Sequence, residues 1–305
     1  MSSGSDAFRL LREKIPALRL EQDALLREHT SFHVGGPAAM AFPHSADELQ
    51  SLLALTAEYA LPIRILGAGT NILAPDEGVE ELVVCLKDSL TGLRSPEDGK
   101  IEAYAGEALS KAAVFARSCG LSGMEFAHGI PGSVGGGVYM NAGAYGAEMA
   151  QITESTTVFM KDGSQREYIG AEQDFSYRHS VFERTDCVIV RSVFRLTPGE
   201  PEQIRQTMRT LMEKRKASQP LELASAGSTF KRPQGYYAGR LIEQAGLKGK
   251  GFGDARVSEK HAGFVVNLGT ASAEDIRKTI SFVQETVYKT FGVFLEPEVQ
   301  IWQVK

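Results

Sequence analysis

The sequence predicts an α+β protein, because segments typical of strands and of helices both occur but do not alternate in a regular strand-helix-strand order. The chain has 305 residues, which is about twice the length of an average domain. Hydrophobic residues make up 43% of it, enough for a buried core, and its 31 glycines concentrate in a few short stretches. We therefore expect more than one domain and specialised glycine-rich loops.

Charge, hydropathy and cysteine content exclude several classes of protein. A net charge of -5 is opposite to what a protein that coats nucleic acid needs, although it leaves room for a small anionic ligand. No apolar run approaches the roughly 18 residues of a membrane-spanning helix, and charged residues interrupt the N-terminal leucines. Cys85, Cys119 and Cys187 form no CxxC pair, so we expect buried thiols in a reducing, cytoplasmic compartment. From the charge and the hydropathy we expect neither a membrane nor a nucleic acid as partner.

The first 85 residues contain predicted helices and strands. Phe8, Leu11 and Ile15 recur at helical spacing. Ser45 followed by Glu48 is a capping box that predicts the start of a second helix. Two short strands follow, at Ile63–Leu66 and Glu81–Leu86.

The remaining elements are predicted from the same signals. They are a strand at Lys100–Ala105, a helix at Leu109–Cys119, a hairpin of Thr153–Met160 and Gln165–Ile169, a strand at Val188–Leu196, a helix through Ile204 and Met212, a strand at Gly263–Asn267 and a helix capped by Ser272. Pro198–Pro201 is interpreted as a boundary, and the chain between the helix after it and Asp254 as irregular.

Gly67-Ala-Gly-Thr-Asn71 directly follows a predicted strand. Backbone N–H groups freed by glycine conformations can converge there on an anion. The segment lacks the third glycine of a Rossmann fingerprint and the Gly-Lys-Ser/Thr end of a P-loop. It therefore predicts either an anion-binding loop or a plain β-turn.

The segment Gly129-Ile-Pro-Gly-Ser-Val-Gly-Gly-Gly137 continues through a further glycine-rich run to Gly146. Five glycines in nine residues cost chain entropy, which indicates close approach of the backbone to a flat or phosphorylated ligand. Ser133 is placed to cap a helix whose N-terminus faces the negative charge. The alternative is tight helix packing through small residues.

Together with three later motifs, these two segments resemble the UDP-N-acetylenolpyruvoylglucosamine reductase family, over roughly Thr30 to Trp302. The later motifs are Ser176-Tyr-Arg-His-Ser180, Ala226-Gly-Ser-Thr-Phe-Lys231 and Leu295-Glu-Pro-Glu-Val299. The chain between Arg178 and Val188 is short and lacks the tyrosine-bearing loop of the longer branch, so it resembles the shorter branch.

The resemblance implies an FAD-binding fold of the vanillyl-alcohol-oxidase type in two subdomains, with a smaller α+β substrate-binding domain. The implied boundaries are 1–85 and 86–199 for the two FAD-binding subdomains, 200–294 for the substrate-binding domain and 295–305 for a C-terminal strand that carries a catalytic Glu. The implied FAD-binding residues are Gly67, Ala68, Gly69, Thr70, Asn71, Gly129, Ile130, Pro131, Gly132, Ser133, Gly136 and Gly146.

The implied reaction is NADPH-dependent reduction, through bound FAD, of the enolpyruvyl ether of UDP-N-acetylglucosamine to UDP-N-acetylmuramate in bacterial peptidoglycan synthesis. Arg178 would hold the substrate carboxylate and the developing enolate. Ser228 would deliver the proton, and Glu298 would hydrogen-bond the enolate. From the residues alone, the alternatives are a turn residue for Ser228, a surface ion pair for Arg178 and a solvated strand residue for Glu298.

Tyr177, Lys231 and His261 are implied substrate-binding residues. Lys231 is a candidate for the diphosphate, with Arg215 and Lys216 as looser candidates, and a solvated basic face is the alternative. Arg232 stands where the family more often has Asn. We expect no metal. Metal-ligand spacing with a carboxylate or a cysteine is absent at His29, His33, His44 and His179.

Two other functions fit the same motifs. One is an oxidase that reacts with O₂ on the same fold. The other is a non-catalytic module that binds a nucleotide sugar.

Overall fold

A computed structural model describes residues 4–304, which contain seven α-helices, nineteen β-strands and five 3₁₀ helices. The α-helices are α1 (Gly4–Lys14), α2 (Ala46–Glu58), α3 (Leu109–Ser118), α4 (Val134–Tyr139), α5 (Pro201–Ser218), α6 (Ala238–Gln244) and α7 (Ala273–Phe291). The strands are β1 (Arg19–Leu25), β2 (Pro37–Phe42), β3 (Ile63–Leu66), β4 (Ile72–Leu73), β5 (Leu82–Cys85), β6 (Leu93–Arg94), β7 (Lys100–Tyr104), β8 (Leu121–Ser122), β9 (Gly143–Ala144), β10 (Ala147–Glu148), β11 (Thr153–Met160), β12 (Gln165–Ile169), β13 (Cys187–Arg195), β14 (Thr197–Pro198), β15 (Ala224–Ser225), β16 (Gly251–Phe252), β17 (Ala255–Val257), β18 (Val265–Asn267) and β19 (Gln300–Ile301). The 3₁₀ helices lie at Leu26–Glu28, Glu125–Gly129, Met149–Gln151, Gly170–Gln173 and Val181–Glu183.

The chain folds into two compact units, and each has its own hydrophobic core. The first unit comprises the described residues up to Gln22, together with Ala39–Ala68 and Glu81–Lys214. The second comprises Asp23–Ala38, Gly69–Glu80 and the chain from Arg215 onward. Each unit is therefore assembled from segments far apart in sequence.

The first unit contains two main sheets. One has the strand order β1-β2-β5-β3, in which β5 pairs in parallel with both β2 and β3. The other is antiparallel with the order β12-β11-β13-β7-β6. Helix α4 packs against β7 and β13 of this second sheet and against α3. The sheet thus supports the glycine-rich segment that contains α4.

The second unit is built on an antiparallel sheet with the order β15-β18-β17-β16, covered by α7. Helix α7 buries Ile276, Ile280, Val283 and Val287, which recur at helical spacing. Strands β4 and β19 pair in parallel, which ties the chain after Gly67–Asn71 to the C-terminal segment.

The α+β prediction is confirmed, and the helices α2, α3 and α7 lie where capping and periodicity predict them. Two local predictions are wrong. The stretch before Asp254 is not irregular, because it contains β15, α6 and β16. Of the three cysteines expected to be buried, Cys85 is buried, Cys187 is half-buried and Cys119 is exposed. Burial raises the pKa of Cys85 and of Cys187 to about 11.

Within the described chain, no helix combines the length and the apolar character needed to cross a membrane.

The N-terminus of α7 is capped from two sides. Ser272 and Asp275 form a capping box, and both carboxylate oxygens of Asp76 accept backbone hydrogen bonds, from Ala273 at 2.8 Å and Glu274 at 3.2 Å. A carboxylate at this position satisfies free N–H groups and complements the helix dipole.

Replacing Asp76 by Ala should lower the free energy of unfolding by about 1 kcal/mol, because two helix N–H groups lose their acceptor. Urea unfolding followed by the fluorescence of Trp302, the single tryptophan, measures the change in the second unit. The neighbouring variant Glu77→Ala removes an exposed carboxylate and serves as the control. Equal stability of the two variants would contradict the capping role.

Candidate active site

The segment Gly67–Asn71 leaves strand β3 and offers a row of main-chain donors. Among the described residues, none accepts a hydrogen bond from the backbone N–H groups of Gly67 to Asn71. The path of the loop requires two glycines. A Cβ at position 67 would lie 2.5 Å from the Oγ of Ser133, and one at position 69 would overlap the carbonyl oxygen of His29.

The second glycine-rich segment is partly used by the fold itself. Ser133 caps α4, as predicted, by accepting a hydrogen bond from Gly136. The next two amides are already bonded, Val134 to the carbonyl of Glu107 and Gly135 to that of Ala105. The first amides of α4 are thus not available to an anion, contrary to the sequence-based expectation. The N–H groups of Gly132 and Ser133 have no acceptor among the described residues.

The structure also divides the glycines of this segment by purpose. A Cβ at Gly135 would lie 2.8 Å from that of Ala105, and one at Gly137 would lie 3.0 Å from Leu109. These two glycines permit close packing, which is the alternative considered for the segment. That alternative does not account for the unbonded amides of Gly132 and Ser133.

The residues present fit the pyrophosphate of FAD. Within the first unit, the N–H groups of Gly67, Ala68, Gly132 and Ser133 have no acceptor among the described residues, and an anion needs donors of this kind. The neighbouring His128 adds a buried Nδ1 atom with no hydrogen-bond partner. Burial lowers the pKa of His128, with a smaller contribution from the charge of Arg117, which favours the neutral ring.

The turn that carries Arg178 is built directly beside α4. Ser176 and His179 exchange two backbone hydrogen bonds, and Arg178 between them has a φ of +54°, a left-handed conformation that is uncommon for arginine. The guanidinium donates to the carbonyl of Gly143 at 3.2 Å and lies 5.0 Å from the centre of the Tyr177 ring. The predicted pair Tyr177 and Arg178 is therefore one local unit.

His179 is held on both sides in the same turn. Its Nε2 lies 2.9 Å from Arg184, which can only donate, and its Nδ1 lies 2.7 Å from Glu183. The Nδ1 atom therefore carries the proton. This arrangement explains His179 structurally.

In the second unit, Thr229 brings Ser228 and Glu298 into one local structure. Thr229 is fully buried and donates its N–H to the carbonyl of Gly263, while its carbonyl accepts from the N–H of Glu298 at 2.8 Å. Its Oγ1 accepts from Val265 on β18. Ser228 itself is exposed, directly before this buried residue.

Asn71 connects the first glycine-rich loop to the same place. Its side-chain amide donates to the carbonyl of Glu298 at 3.0 Å, and its own carbonyl accepts from Gln300. The side chain of Asn71 thus fixes the backbone of a predicted catalytic residue, and its backbone N–H remains for an anion.

His261 is oriented by its neighbours. Its Nδ1 accepts a hydrogen bond from the N–H of Gly263 at 3.1 Å, so the neutral ring carries its proton on Nε2. The ring meets Phe264 edge to face at 5.0 Å. Burial lowers the pKa of His261, which makes it a neutral hydrogen-bond donor near neutral pH.

Lys231 is paired on the surface of the second unit. Its N–H bonds to the carbonyl of Glu296, and its Nζ lies 2.7 Å from a carboxylate oxygen of the same residue. The two side chains are 31% and 63% exposed, so the ion pair contributes little to stability.

Sequence reasoning missed Thr229 and Asn141 as supports of the site. Both are buried polar residues inside motifs that were singled out for other members. A buried polar residue within a motif indicates a supporting role. Burial depends on tertiary contacts, however, so the sequence alone does not reveal it.

The depressed pKa of His261 predicts a pH-dependent stability. Below about pH 6.5 the unfolded chain binds a proton that the folded chain resists, so stability is present above that pH and lost as pH falls. In His261→Gln, unfolding free energies at pH 7.5 and pH 5.5 should differ less than in the wild type, as measured by urea unfolding and Trp302 fluorescence. The exposed His44 provides the control His44→Gln, and an unchanged pH difference in His261→Gln would refute the prediction.

Comparison with known proteins assigns the two parts of the chain. A family model described as the C-terminal domain of UDP-N-acetylenolpyruvoylglucosamine reductase matches residues 219–302, and one described as an FAD binding domain matches residues 37–168. The chain is 44% identical over 300 residues to the UDP-N-acetylenolpyruvoylglucosamine reductase of Agathobacter rectalis, covering 95% of this chain and 96% of that protein. The corresponding protein of Caldanaerobacter subterraneus is 44% identical over 294 residues, with 95% and 96% covered.

A solved structure agrees with these matches. The crystal structure of UDP-N-acetylenolpyruvylglucosamine reductase from Thermus caldophilus has a TM-score of 0.81 and 37% identity, and the match covers 94% of this chain and 100% of that one. Both sequence and fold therefore agree over nearly the whole length. The chain belongs to the UDP-N-acetylenolpyruvoylglucosamine reductase family.

Proposed function

We propose that this chain reduces UDP-N-acetylglucosamine enolpyruvate to UDP-N-acetylmuramate with NADPH, through bound FAD, as a step of peptidoglycan precursor synthesis. The observation that carries the proposal is the row of unbonded backbone amides in two glycine-rich segments, one of which adjoins the Arg178 turn. Membership of the family, and the FAD binding domain matched over residues 37–168, support it.

The cofactor would be held mainly by main-chain groups. When bound, FAD supplies a two-electron relay between NADPH and the substrate double bond. The residues proposed to hold it are Gly67, Ala68, Gly69, Thr70, Asn71, Gly129, Ile130, Pro131, Gly132, Ser133, Gly136 and Gly146. Of these, the unbonded amides of Gly67, Ala68, Gly132 and Ser133, all in the first unit, would donate to the pyrophosphate.

Arg178, Ser228 and Glu298 are the proposed catalytic residues. Reduction at the terminal vinyl carbon places negative charge next to the substrate carboxylate, so the site must stabilise an enolate and supply one proton. The guanidinium of Arg178 binds the carboxylate and the enolate through its fixed fork of donors. Ser228 delivers the proton, and Glu298 hydrogen-bonds the enolate in its protonated form.

Tyr177, Lys231 and His261 are the proposed substrate-binding residues. Lys231 exchanges Glu296 for the diphosphate, and His261 offers the proton on its Nε2. Because these contacts use one cation and one neutral donor, binding of the anionic nucleotide sugar needs no large excess of positive charge.

We also propose a division of labour along the chain and a location. Residues 1–85 and 86–199 act as the two FAD-binding subdomains, 200–294 as the substrate-binding domain and 295–305 as the strand that carries Glu298. The two sheets of the first unit lie in the first two of these ranges, which supports the division. The free cysteines suit a reducing compartment, so we place the enzyme in the cytoplasm.

The purified protein should be yellow, lose its flavin absorbance with NADPH and regain it without oxygen when the enolpyruvyl substrate is added. In Arg178→Lys, stopped-flow absorbance should show normal flavin reduction but reoxidation by substrate slowed roughly a hundredfold, because the bidentate donor is lost. Arg166→Lys is the matched control, since Arg166 also lies over a tyrosine ring, at 4.1 Å from that of Tyr168.

Three results would contradict this function. Colourless protein that takes up no flavin excludes it. Reoxidation by O₂ with release of peroxide, and none by the nucleotide sugar, identifies an oxidase. If NADPH never reduces the flavin and the nucleotide sugar binds without being converted, the protein is a binding module.

The proton-donor role of Ser228 has a separate test. In D₂O, Ser228→Ala should incorporate solvent deuterium into product roughly a hundredfold more slowly than the wild type, because the hydroxyl that delivers the proton is absent. Mass spectrometry of the product in single turnovers measures the rate. Ser225→Ala, on β15 of the same segment, is the control; a normal rate in Ser228→Ala would rule out the role.

A further inference from the structure

Asn141 lies where α4 ends and is fully buried, with a φ of +43°. Asparagine tolerates this left-handed conformation better than most residues, but a buried carboxamide is costly unless its donors and acceptors are bonded. The contacts of Asn141 show what this residue holds together.

The side chain of Asn141 joins two segments. Its Oδ1 accepts from the N–H of Ala150 at 2.9 Å, and its Nδ2 donates to the carbonyl of Ser176 at 2.8 Å. One bond requires an acceptor and the other a donor, so the orientation of the amide is fixed. The second bond fastens the first residue of the turn that carries Arg178.

The main chain of Asn141 contacts Arg178 itself. The carbonyl of Asn141 lies 3.5 Å from Nη1 of Arg178, and that of Gly143 lies 3.2 Å from Nη2. The left-handed conformation of Asn141 sets the direction of its carbonyl. One residue thus holds the turn through its side chain and faces the guanidinium with its backbone.

We propose that Asn141 is a positioning residue that fixes the guanidinium of Arg178 for the substrate carboxylate. The inference rests on the proposed function of Arg178 and adds a residue to it. Arg178 occupies an unfavourable backbone conformation, which persists only if surrounding groups hold it. The bond from Asn141 to Ser176 is one contact that holds the turn from outside it.

The test uses the flavin-loaded protein and two substitutions. Asn141→Gly keeps the positive φ and removes both side-chain bonds. Asn141→Asp keeps an acceptor for Ala150 but places a carboxylate oxygen against the carbonyl of Ser176. Both should retain flavin and its reduction by NADPH, while the Kd of the substrate for the oxidised protein rises and reoxidation slows, each roughly tenfold or more.

A double-mutant cycle separates positioning from a general loss of structure. If Asn141 acts through Arg178, Asn141→Gly added to Arg178→Ala should change substrate Kd and reoxidation by less than about twofold. Gln173→Ala, which removes another fully buried side-chain amide of the same unit, should alter neither quantity and is the matched control.

Each remaining outcome overturns a stated claim. Normal reoxidation in Arg178→Ala overturns the proposed role of Arg178 and the inference with it. Two outcomes overturn the inference alone. In one, Arg178→Ala slows reoxidation but Asn141→Gly does not. In the other, Asn141→Gly changes substrate Kd and reoxidation equally in the presence and absence of Arg178. Wild-type behaviour of Asn141→Asp overturns the role of the Ser176 bond.

Discussion

Main-chain N–H groups that the protein leaves without an acceptor are the constraint on which the site depends. They occur at Gly67–Asn71 and at Gly132–Ser133 within the described chain. Only Gly69 and Ser133 among these residues are buried, and a buried amide without a partner costs roughly 1–3 kcal/mol, so in our proposal an anion bound there also stabilises the local fold. The loop at Gly67 has no space for a side chain, because the Oγ of Ser133 lies there. The backbone conformation of this loop therefore determines which N–H groups are free for the proposed cofactor.

Each unit places its functional side chain by the same means. In the first, buried Asn141 fastens the turn on which Arg178 adopts a φ of +54°. In the second, buried Thr229 links the segment of Ser228 to that of Glu298, directly after Gly227 with a φ of +75°. In both units a buried polar residue makes several bonds near the proposed functional side chain; Arg178 is itself left-handed, whereas Ser228 follows a left-handed glycine. This arrangement limits the motion of groups that must meet a small substrate within a fraction of an ångström.

The sequence predicted what local signals determine. Helix α7 has a capping residue, a repeating apolar face and a terminal Gly292, so it was predictable. Strands β15 and β16 have two residues each. Strand β15 pairs with the distant β18, which leaves no local pattern, whereas β16 forms a hairpin with the adjacent β17 that is too short to show alternation of polar and apolar residues. The same limit applies to the site. The glycine clusters were visible, but Gly135 serves packing because Ala105 lies against it, a contact that only the fold creates.

In the proposed substrate site, Lys231 exchanges one anionic partner for another. The net charge of -5 gives no general attraction for an anionic substrate. Lys231 instead holds Glu296 in a partly exposed pair of small stability, and in our proposal the more highly charged diphosphate replaces this carboxylate. His261 is kept neutral by burial and donates through Nε2, so it adds a directed hydrogen bond without repelling the nearby cations. In this proposal, individual contacts bind the anionic substrate, and a positively charged surface is not needed to attract it.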